Sequence, residues 1–192
     1  MTYLKIAIQK SGRLNEDSLN LLKECGISIN NGADQLMAQA SNFPLEVLYL
    51  RNSDIPQYVR DGVADVAILG ENTEIEKRTG NRRVLPLGFS RCRVSMAVPR
   101  DVPYEGLSYF QGKKIATSYP NTLSDFLKRE GIQAEIHEIS GSVEIAPGIG
   151  LAHAIFDIVS SGSTLFKNGL KEVYKVLDSQ AVLLANPDLS PE

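Results

Sequence analysis

The segment Glu144–Leu165 reads EIAPGIGLAHAIFDIVSSGSTL and determines how the rest of the chain is interpreted. Its second half contains an apolar run, Ala154–Val159, in which Asp157 is the one carboxylate. Apolar residues resume at helical spacing from Leu165 onward. Between these parts lies a tract of small residues, made up of Ser160, Ser161, Gly162, Ser163 and Thr164. The order predicts a strand, a small-residue loop and the start of a short helix.

Such a loop is suited to a phosphate. Its backbone N–H groups lie on one concave side beside hydroxyls, and the helix start adds unpaired N–H groups and the positive end of a dipole. Gly162 lets the backbone approach a ligand without a Cβ. Asp157 would repel phosphate but could accept hydrogen bonds from vicinal hydroxyls, so the pair predicts a ribose 5-phosphate site. An ordinary polar turn is the alternative, since the chain has no Gly-Lys-Ser/Thr P-loop pattern.

Composition restricts the class of protein. The 192 residues allow one large or two small domains, and 43% hydrophobic with 22% charged residues is typical of a globular protein in water. A net charge of −3 without a long basic cluster predicts no nucleic-acid partner. No apolar run approaches a membrane span and the first residues lack a signal-peptide pattern, so we expect a cytoplasmic protein without membrane contact. Cys25 and Cys92 are expected to be reduced thiols.

Three earlier strands are predicted to end in polar or charged residues. Ligands of open α/β sheets bind at the carboxyl ends of strands, so these residues are candidates for anionic groups. Solvated surface charges or plain turn residues are the alternative. The candidates are Lys10 and Arg13 after the strand Tyr3–Ile8, Arg51 after Leu45–Leu50, and Gly70, Glu71 and Asn72 after Val63–Leu69.

Both halves of the chain alternate strands with helices. This alternation predicts an α/β fold with mostly parallel sheets flanked by helices. The proline-bearing segment Pro99–Pro103 is predicted to be a crossover into a second domain, whose first strand is Lys113–Thr117.

The spacing of ten residues resembles the signature of the ATP phosphoribosyltransferase family, whose enzymes open histidine biosynthesis. Further likeness lies in QKSGRL at 9–14, LR and DIP within 48–56, GEN at 70–72, CR at 92–93 and ATSYP at 116–120. The signature residues are Glu144, Gly150, Ala152, Ile155, Asp157, Ile158, Ser161, Gly162, Thr164 and Leu165.

The resemblance implies two α/β lobes of the periplasmic-binding-protein-like type with the active site in a cleft between them. It implies a discontinuous first domain, 1–98 with 180–192, and a second domain, 99–179, that carries the loop. The implied reaction transfers the 5-phosphoribosyl group of phosphoribosyl pyrophosphate (PRPP) to N1 of ATP and releases pyrophosphate, with Mg²⁺ as cofactor.

The resemblance also suggests roles for the candidate residues, and no metal site made by the protein alone is expected. The expected catalytic residues are Lys10, Arg13 and Asp157. The expected PRPP-binding residues are Glu144, Asp157, Ser160, Ser161, Gly162, Ser163 and Thr164. The expected ATP- or pyrophosphate-binding residues are Ser11, Gly12, Arg13, Arg51, Gly70, Glu71, Asn72 and Arg93.

The motifs are closest to the longer form of the family, so we expect a catalytic core without the C-terminal regulatory domain of that form. The alternative is a short form that needs a separate regulatory subunit, and the family implies a homodimer. His153 and Gly148 depart from the family pattern, which tends to have Asp and Arg there. A non-catalytic two-lobed protein that binds a sugar phosphate or another solute is the competing function, and a different phosphoribosyltransferase is a further alternative.

Overall fold

The computed structural model describes residues 3–30 and 35–190, which form two compact units, Met1–Arg91 with Gln180–Glu192, and Cys92–Ser179. Residues 1–2, 31–34 and 191–192 of the predicted first domain lie outside the described residues. The helices are α1 (Arg13–Glu24), α2 (Ile55–Arg60), α3 (Glu71–Lys77), α4 (Pro120–Glu130) and α5 (Ser163–Lys167). The strands are β1 (Leu4–Gln9), β2 (Met37–Gln39), β3 (Leu45–Leu50), β4 (Val66–Gly70), β5 (Arg82–Pro86), β6 (Cys92–Pro99), β7 (Lys114–Thr117), β8 (Glu135–Glu138), β9 (Ala154–Val159), β10 (Leu170–Ser179) and β11 (Ala181–Ala185).

The sheet of the first unit has the order β2-β3-β1-β4-β11-β5. Alternate residues of β1 face opposite sides: Ile6 and Ile8 pack in a cluster with Leu22 of α1, and Ala7 packs in another cluster with Val59 of α2. The sheet is therefore buried on both faces, which explains why its central strands are almost continuously apolar. It also brings the carboxyl ends of the parallel strands β3, β1 and β4 to one edge.

The sheet of the second unit has the order β10-β6-β9-β7-β8. Phe126 of α4 packs with Phe156 of β9 on one face, and Leu165 of α5 packs with Ile155 on the other. Strand β9 pairs parallel with β7, so the carboxyl ends of both strands lie at one edge of the sheet. Asp157 and the loop after β9 lie at this edge.

The α/β fold is confirmed, but both sheets are mixed instead of mostly parallel. The parallel pairs are β3–β1, β1–β4, β9–β7 and β7–β8, and the remaining pairs are antiparallel. A parallel pair needs a long crossover, usually a helix. No helix separates β5 from β6 or β10 from β11, so these strands cannot form such a unit with each other. Alternation in the sequence indicates element type and does not give strand direction.

One local prediction also differs from the structure. The strand predicted over 63–69 begins only at Val66, because the chain closes the α2 helix through Gly62, whose φ is +71°. Near the same sheet, Ile29 and Ala40 form a single antiparallel bridge outside the strands. Among the described residues, no helix has the length and apolar character needed to cross a bilayer.

Candidate functional site

The loop after β9 connects that strand to the short helix α5, in the order predicted from the sequence. Gly162 has φ +81°, and the Phe166 N–H donates to its carbonyl at 3.0 Å. The N–H groups of residues 163–165 therefore precede the helical hydrogen-bond ladder. Helix α5 spans only five residues, so its macrodipole is a small contribution and the amides and hydroxyls are the main donors.

A small pocket brings the predicted PRPP residues together. Its volume is about 60 Å³, well below the roughly 300–1,000 Å³ of pockets that enclose a drug-sized ligand, so it can receive only part of a nucleotide-sized molecule. Ser163 does not line the pocket; its hydroxyl lies 3.0 Å from the Ser161 hydroxyl and helps to order the loop. The predicted residues that do line it are Glu144, Asp157, Ser160, Ser161, Gly162 and Thr164.

Asp157 lies beside the loop 160–164, and the pKa of its carboxyl is higher than usual. Burial raises the pKa of its carboxyl from 3.8 to about 6, the Ile158 N–H lowers that pKa by donating to Oδ1 at 2.7 Å, and the negative charge of Glu144 raises it. An ionised carboxylate here is destabilised until it receives further donors. The vicinal hydroxyls of a ribose are donors of that kind.

Arg93 lies next to the loop, but its guanidinium is engaged by protein groups. Its Nε and Nη2 each donate to a Glu172 carboxylate oxygen at 2.6 Å, and its Nη1 donates to the Ser160 carbonyl at 3.0 Å. The buried Ser95 hydroxyl also donates to Glu172 Oε1, at 2.7 Å. These bonds to Arg93 and Ser95 hold the pKa of Glu172 below its usual value, and the Glu172 bond raises the pKa of Arg93. The direct phosphate contact predicted for Arg93 stays a prediction.

The cations of the first unit lie along one edge of its sheet. Lys10, Ser11 and Gly12 form the exposed loop between β1 and α1, and Gly12 takes φ +84° as the residue before the helix. The Arg13 side chain is 82% exposed, with Nε 3.8 Å from Asp17. Arg51 follows the neighbouring parallel strand β3. An exposed arginine with one distant partner has its donors available for a ligand.

The segment after β4 is the third member of this edge. Gly70 lies so close to Asn72 that an added Cβ would be 2.5 Å from its Oδ1, so a side chain at position 70 would require the Asn72 side chain to move. Asn72 is buried, and Glu71 forms an ion pair with Arg83 at 2.7 Å. The candidate residues therefore form one group in each unit. The group in the second unit is Arg93, Glu144, Asp157 and Ser160–Thr164. The group in the first unit is Lys10–Arg13, Arg51 and Gly70–Asn72.

Sequence reasoning missed Glu172 and Ser95. The one sequence signal for Ser95 is that it alternates with Arg93 on β6 and so shares a face with it, whereas its register pairing with Asp157 is seen only in the structure. Glu172 lies 79 residues from Arg93 along the chain, and no local pattern links the two. His153, which departs from the family pattern, accepts a hydrogen bond from the Lys114 N–H through Nδ1 at 3.1 Å and so helps to align the start of β7.

Two carboxylates line the pocket, those of Glu144 and Asp157. Across the described residues, no cluster of three or more histidine, cysteine, aspartate or glutamate side chains could hold a metal. Mg²⁺ is commonly bound by one or two carboxylates together with substrate phosphates, and Glu144 and Asp157 line one pocket. The residues present are therefore compatible with a metal-assisted reaction.

The fold is that of a two-lobed α/β protein of the periplasmic-binding-protein-like type, and its second unit carries the candidate loop after β9. A histidine kinase sensor domain with similarity to periplasmic binding proteins has a TM-score of 0.64 over 97% of this chain and 83% of its own. At 12% identity, this likeness concerns the fold alone.

The chain belongs to the ATP phosphoribosyltransferase family. The model of that family matches residues 51–191. The ATP phosphoribosyltransferase of Cytophaga hutchinsonii is 59% identical over 191 residues, which are 100% of this chain and 67% of that protein. The ATP phosphoribosyl transferase (HisG:HisZ) complex from Thermotoga maritima has a TM-score of 0.82 at 29% identity, over 96% of this chain and 88% of that chain.

Proposed function

We propose that this chain transfers the 5-phosphoribosyl group of PRPP to N1 of ATP, giving N1-(5-phosphoribosyl)-ATP and pyrophosphate, the first step of L-histidine biosynthesis. Membership of the family supports the proposal. The observation that carries it is the pocket shared by Asp157 and the hydroxyl loop, which can hold the two ends of a phosphorylated pentose. The loop amides and hydroxyls donate to the 5-phosphate, and Asp157 accepts from the ribose hydroxyls.

The chemistry needs positioning and charge stabilisation more than a base. The lone pair of adenine N1 forms a bond to ribose C1 while the bond from C1 to the pyrophosphate oxygen breaks, and pyrophosphate leaves with that electron pair. Positive charge develops on the ribose ring, near the Asp157 carboxylate. A fixed negative group at that position stabilises the developing charge without moving during the reaction.

The first unit supplies the anion-binding groups in this proposal. Lys10, Arg13 and Arg51 bind the phosphates of ATP and the pyrophosphate, and the 70–72 segment lines the nucleotide. The support for these assignments is their common position at the carboxyl edge of one sheet and the exposure of Lys10 and Arg13. The Lys10–Gly12 loop is also a backbone with a glycine at positive φ, which can approach a phosphate closely.

Mg²⁺ is the proposed cofactor, with Glu144 and Asp157 as the protein groups that hold it. When bound with PRPP, it would neutralise charge on the departing pyrophosphate. We further propose a cytoplasmic homodimer as the working form. A separate regulatory subunit remains the partner expected if the chain works as a short form, and the solved relative from Thermotoga maritima is itself a complex of two proteins.

The proposal is tested by mixing the purified chain with ATP, PRPP and Mg²⁺ and following ultraviolet absorbance and pyrophosphate release. We expect pyrophosphate to appear only when both substrates are present. A two-lobed binding protein would bind PRPP or another solute without releasing pyrophosphate, so that result would reject the enzyme. Replacing ATP by other nucleobases separates this reaction from that of another phosphoribosyltransferase.

Replacing Arg13 with alanine tests the anion-binding edge of the first unit. The Arg13 side chain is 82% exposed and its ion pair with Asp17 is long, so its loss should scarcely change stability. Loss of one charge-assisted contact to a substrate phosphate is expected to lower kcat/KM for ATP about 10- to 100-fold. Steady-state kinetics of Arg13→Ala measure this, with Arg60→Ala, an exposed arginine of α2, as the control. Wild-type kinetics of Arg13→Ala would remove Arg13 from the site.

The pH dependence of PRPP binding should follow Asp157. With a pKa raised to about 6, its carboxyl is largely protonated at pH 5 and ionised at pH 7.5. Since the ionised form accepts the ribose hydroxyls, kcat/KM for PRPP is expected to fall by about tenfold per pH unit below pH 6. Phosphates of the substrate titrate in the same range. The contribution of Asp157 is therefore the difference between the wild type and Asp157→Asn in the slope of log kcat/KM for PRPP against pH. Identical slopes would contradict the assignment of Asp157 as the acceptor of the ribose hydroxyls.

A further inference from the structure

The loop that is proposed to bind phosphate is braced from two neighbouring strands. On β6, Arg93 and Ser95 point to the same face, and their register partners on β9 are Val159 and Asp157. On β10, Glu172 reaches across to both of them, next to a register shift between Glu172 and Tyr174. Loop, strand and carboxylate are thus joined by one run of hydrogen bonds within the second unit.

The bonds of the brace are strong and directional. The guanidinium of Arg93 and the carboxylate of Glu172 form a bidentate pair with both distances at 2.6 Å. Such a pair fixes the plane of the guanidinium, and the remaining Nη1 then points at the Ser160 carbonyl. The Ser95 hydroxyl is 1% exposed and holds the other side of Glu172. The side chains of Arg93 and Glu172 are 31% and 26% exposed, so the pair is partly shielded from water.

We propose that Glu172 is a positioning residue for PRPP, which acts by fixing Arg93 so that Arg93 holds the Ser160 carbonyl and turns the N–H groups of the following loop toward the 5-phosphate. The proposal rests on the function proposed above and deepens it. It assigns Arg93 to the support of the loop. A guanidinium whose charge is already paired with a carboxylate attracts phosphate weakly, whereas its geometric hold on a carbonyl is undiminished.

The measurement is the dissociation constant of PRPP, by calorimetry, for the full chain and its variants. This readout does not require turnover, so a failure of the proposed reaction in the wild type is seen separately. Glu172→Gln keeps the size of the side chain and removes its charge. We expect a rise in the PRPP dissociation constant of about tenfold, within the coupling range of residues in one hydrogen-bond network, and an unchanged dissociation constant for ATP.

Two further variants separate support from direct binding. Arg93→Lys keeps the positive charge and loses the planar fork, so support of the loop predicts a loss of PRPP affinity as large as that of Glu172→Gln. The double variant Arg93→Lys with Glu172→Gln should be scarcely worse than either single variant, because both break the same connection. Glu135→Gln is the matched control, since it breaks the Lys114–Glu135 ion pair at the far side of the same sheet.

Support of the loop by Arg93 and direct phosphate binding by Arg93 predict different PRPP affinities for Glu172→Gln. If Arg93 binds the phosphate directly, Glu172→Gln would free its guanidinium, and PRPP affinity would stay unchanged or increase. Either of these results overturns the proposal. A purely structural role for Glu172 would lower the melting temperature and weaken PRPP and ATP binding together, and this result overturns it as well. Loss of PRPP affinity alone, with the wild-type response in Glu135→Gln, supports it.

Discussion

Replacing Asp157 with asparagine is expected to abolish most activity while making the free protein more stable at neutral pH. The carboxylate is placed to accept the hydroxyls of the ribose, and hydrogen bonds to a charged group contribute roughly 1.5–3 kcal/mol each. Loss of the charge from two such bonds predicts a fall in kcat/KM for PRPP of about 100- to 1,000-fold. Steady-state kinetics measure the first half of this prediction.

The gain in stability follows from the direction of the pKa shift. Because the folded protein raises the pKa of Asp157 from 3.8 to about 6, the protonated form is favoured by folding. Its contribution to stability is fully present below the unfolded pKa and is lost as the pH rises through about 6. A neutral asparagine keeps an oxygen for the Ile158 N–H and avoids the buried charge, so at pH 7.5 the melting temperature should rise by roughly 2–6 °C, for about 1–2 kcal/mol.

The two effects have opposite signs, which distinguishes a functional carboxylate from a structural one. An aspartate that stabilises the fold would lower both activity and melting temperature when replaced. Asp178→Asn is the control, since Asp178 has an exposed carboxylate in a surface ion pair with Lys175, and both of its readouts should stay near the wild type. A fall in the melting temperature of Asp157→Asn would show that the charge is satisfied in the free protein and would remove the reason for its raised pKa.

The predictions that held from sequence are those decided by residues close together in the chain. The apolar run 154–159 can satisfy its burial only as a central strand, and five small residues after it leave little alternative to a tight loop, so β9 and its loop were predictable. Helix α4 follows the same rule, since Leu123, Phe126 and Leu127 are close together in the chain and are all buried, and Gly131 ends the helix at φ +68°.

Strand direction and side-chain partners were not predictable, because they depend on residues far apart in the chain. A strand pattern such as that of Val182–Ala185 is the same whether the strand enters the sheet parallel or antiparallel, and β11 enters antiparallel beside β4. Arg93 was assigned to the phosphates of ATP or the pyrophosphate from the CR at 92–93 that resembles the family, and this contact stays a prediction. The ion pair of Arg93 with Glu172 could not be predicted, because it forms only through the pairing of β10 with β6.

Replacing Gly162 with alanine is expected to remove PRPP binding at a modest cost in stability. Gly162 has φ +81°, a conformation that costs a residue with a Cβ about 1–2 kcal/mol. No protein atom lies within 4 Å of the position of an added Cβ, so the change causes no clash with the folded protein. That open space lies at the loop where we expect the phosphate, and relief of the backbone strain would also turn the loop amides away.

The comparison that isolates the loop is Gly131→Ala. Gly131 also has a positive φ, +68°, with no neighbouring atom near an added Cβ, and it ends α4 away from the pocket. Both variants should therefore lose a similar free energy of unfolding, about 1 kcal/mol in denaturant titrations. Only Gly162→Ala should lose PRPP affinity, by about 100-fold, because a misplacement of binding groups by about 1 Å has effects of that size. Equal PRPP affinity in the two variants would mean that the loop does not hold the phosphate, since the backbone strain is common to both.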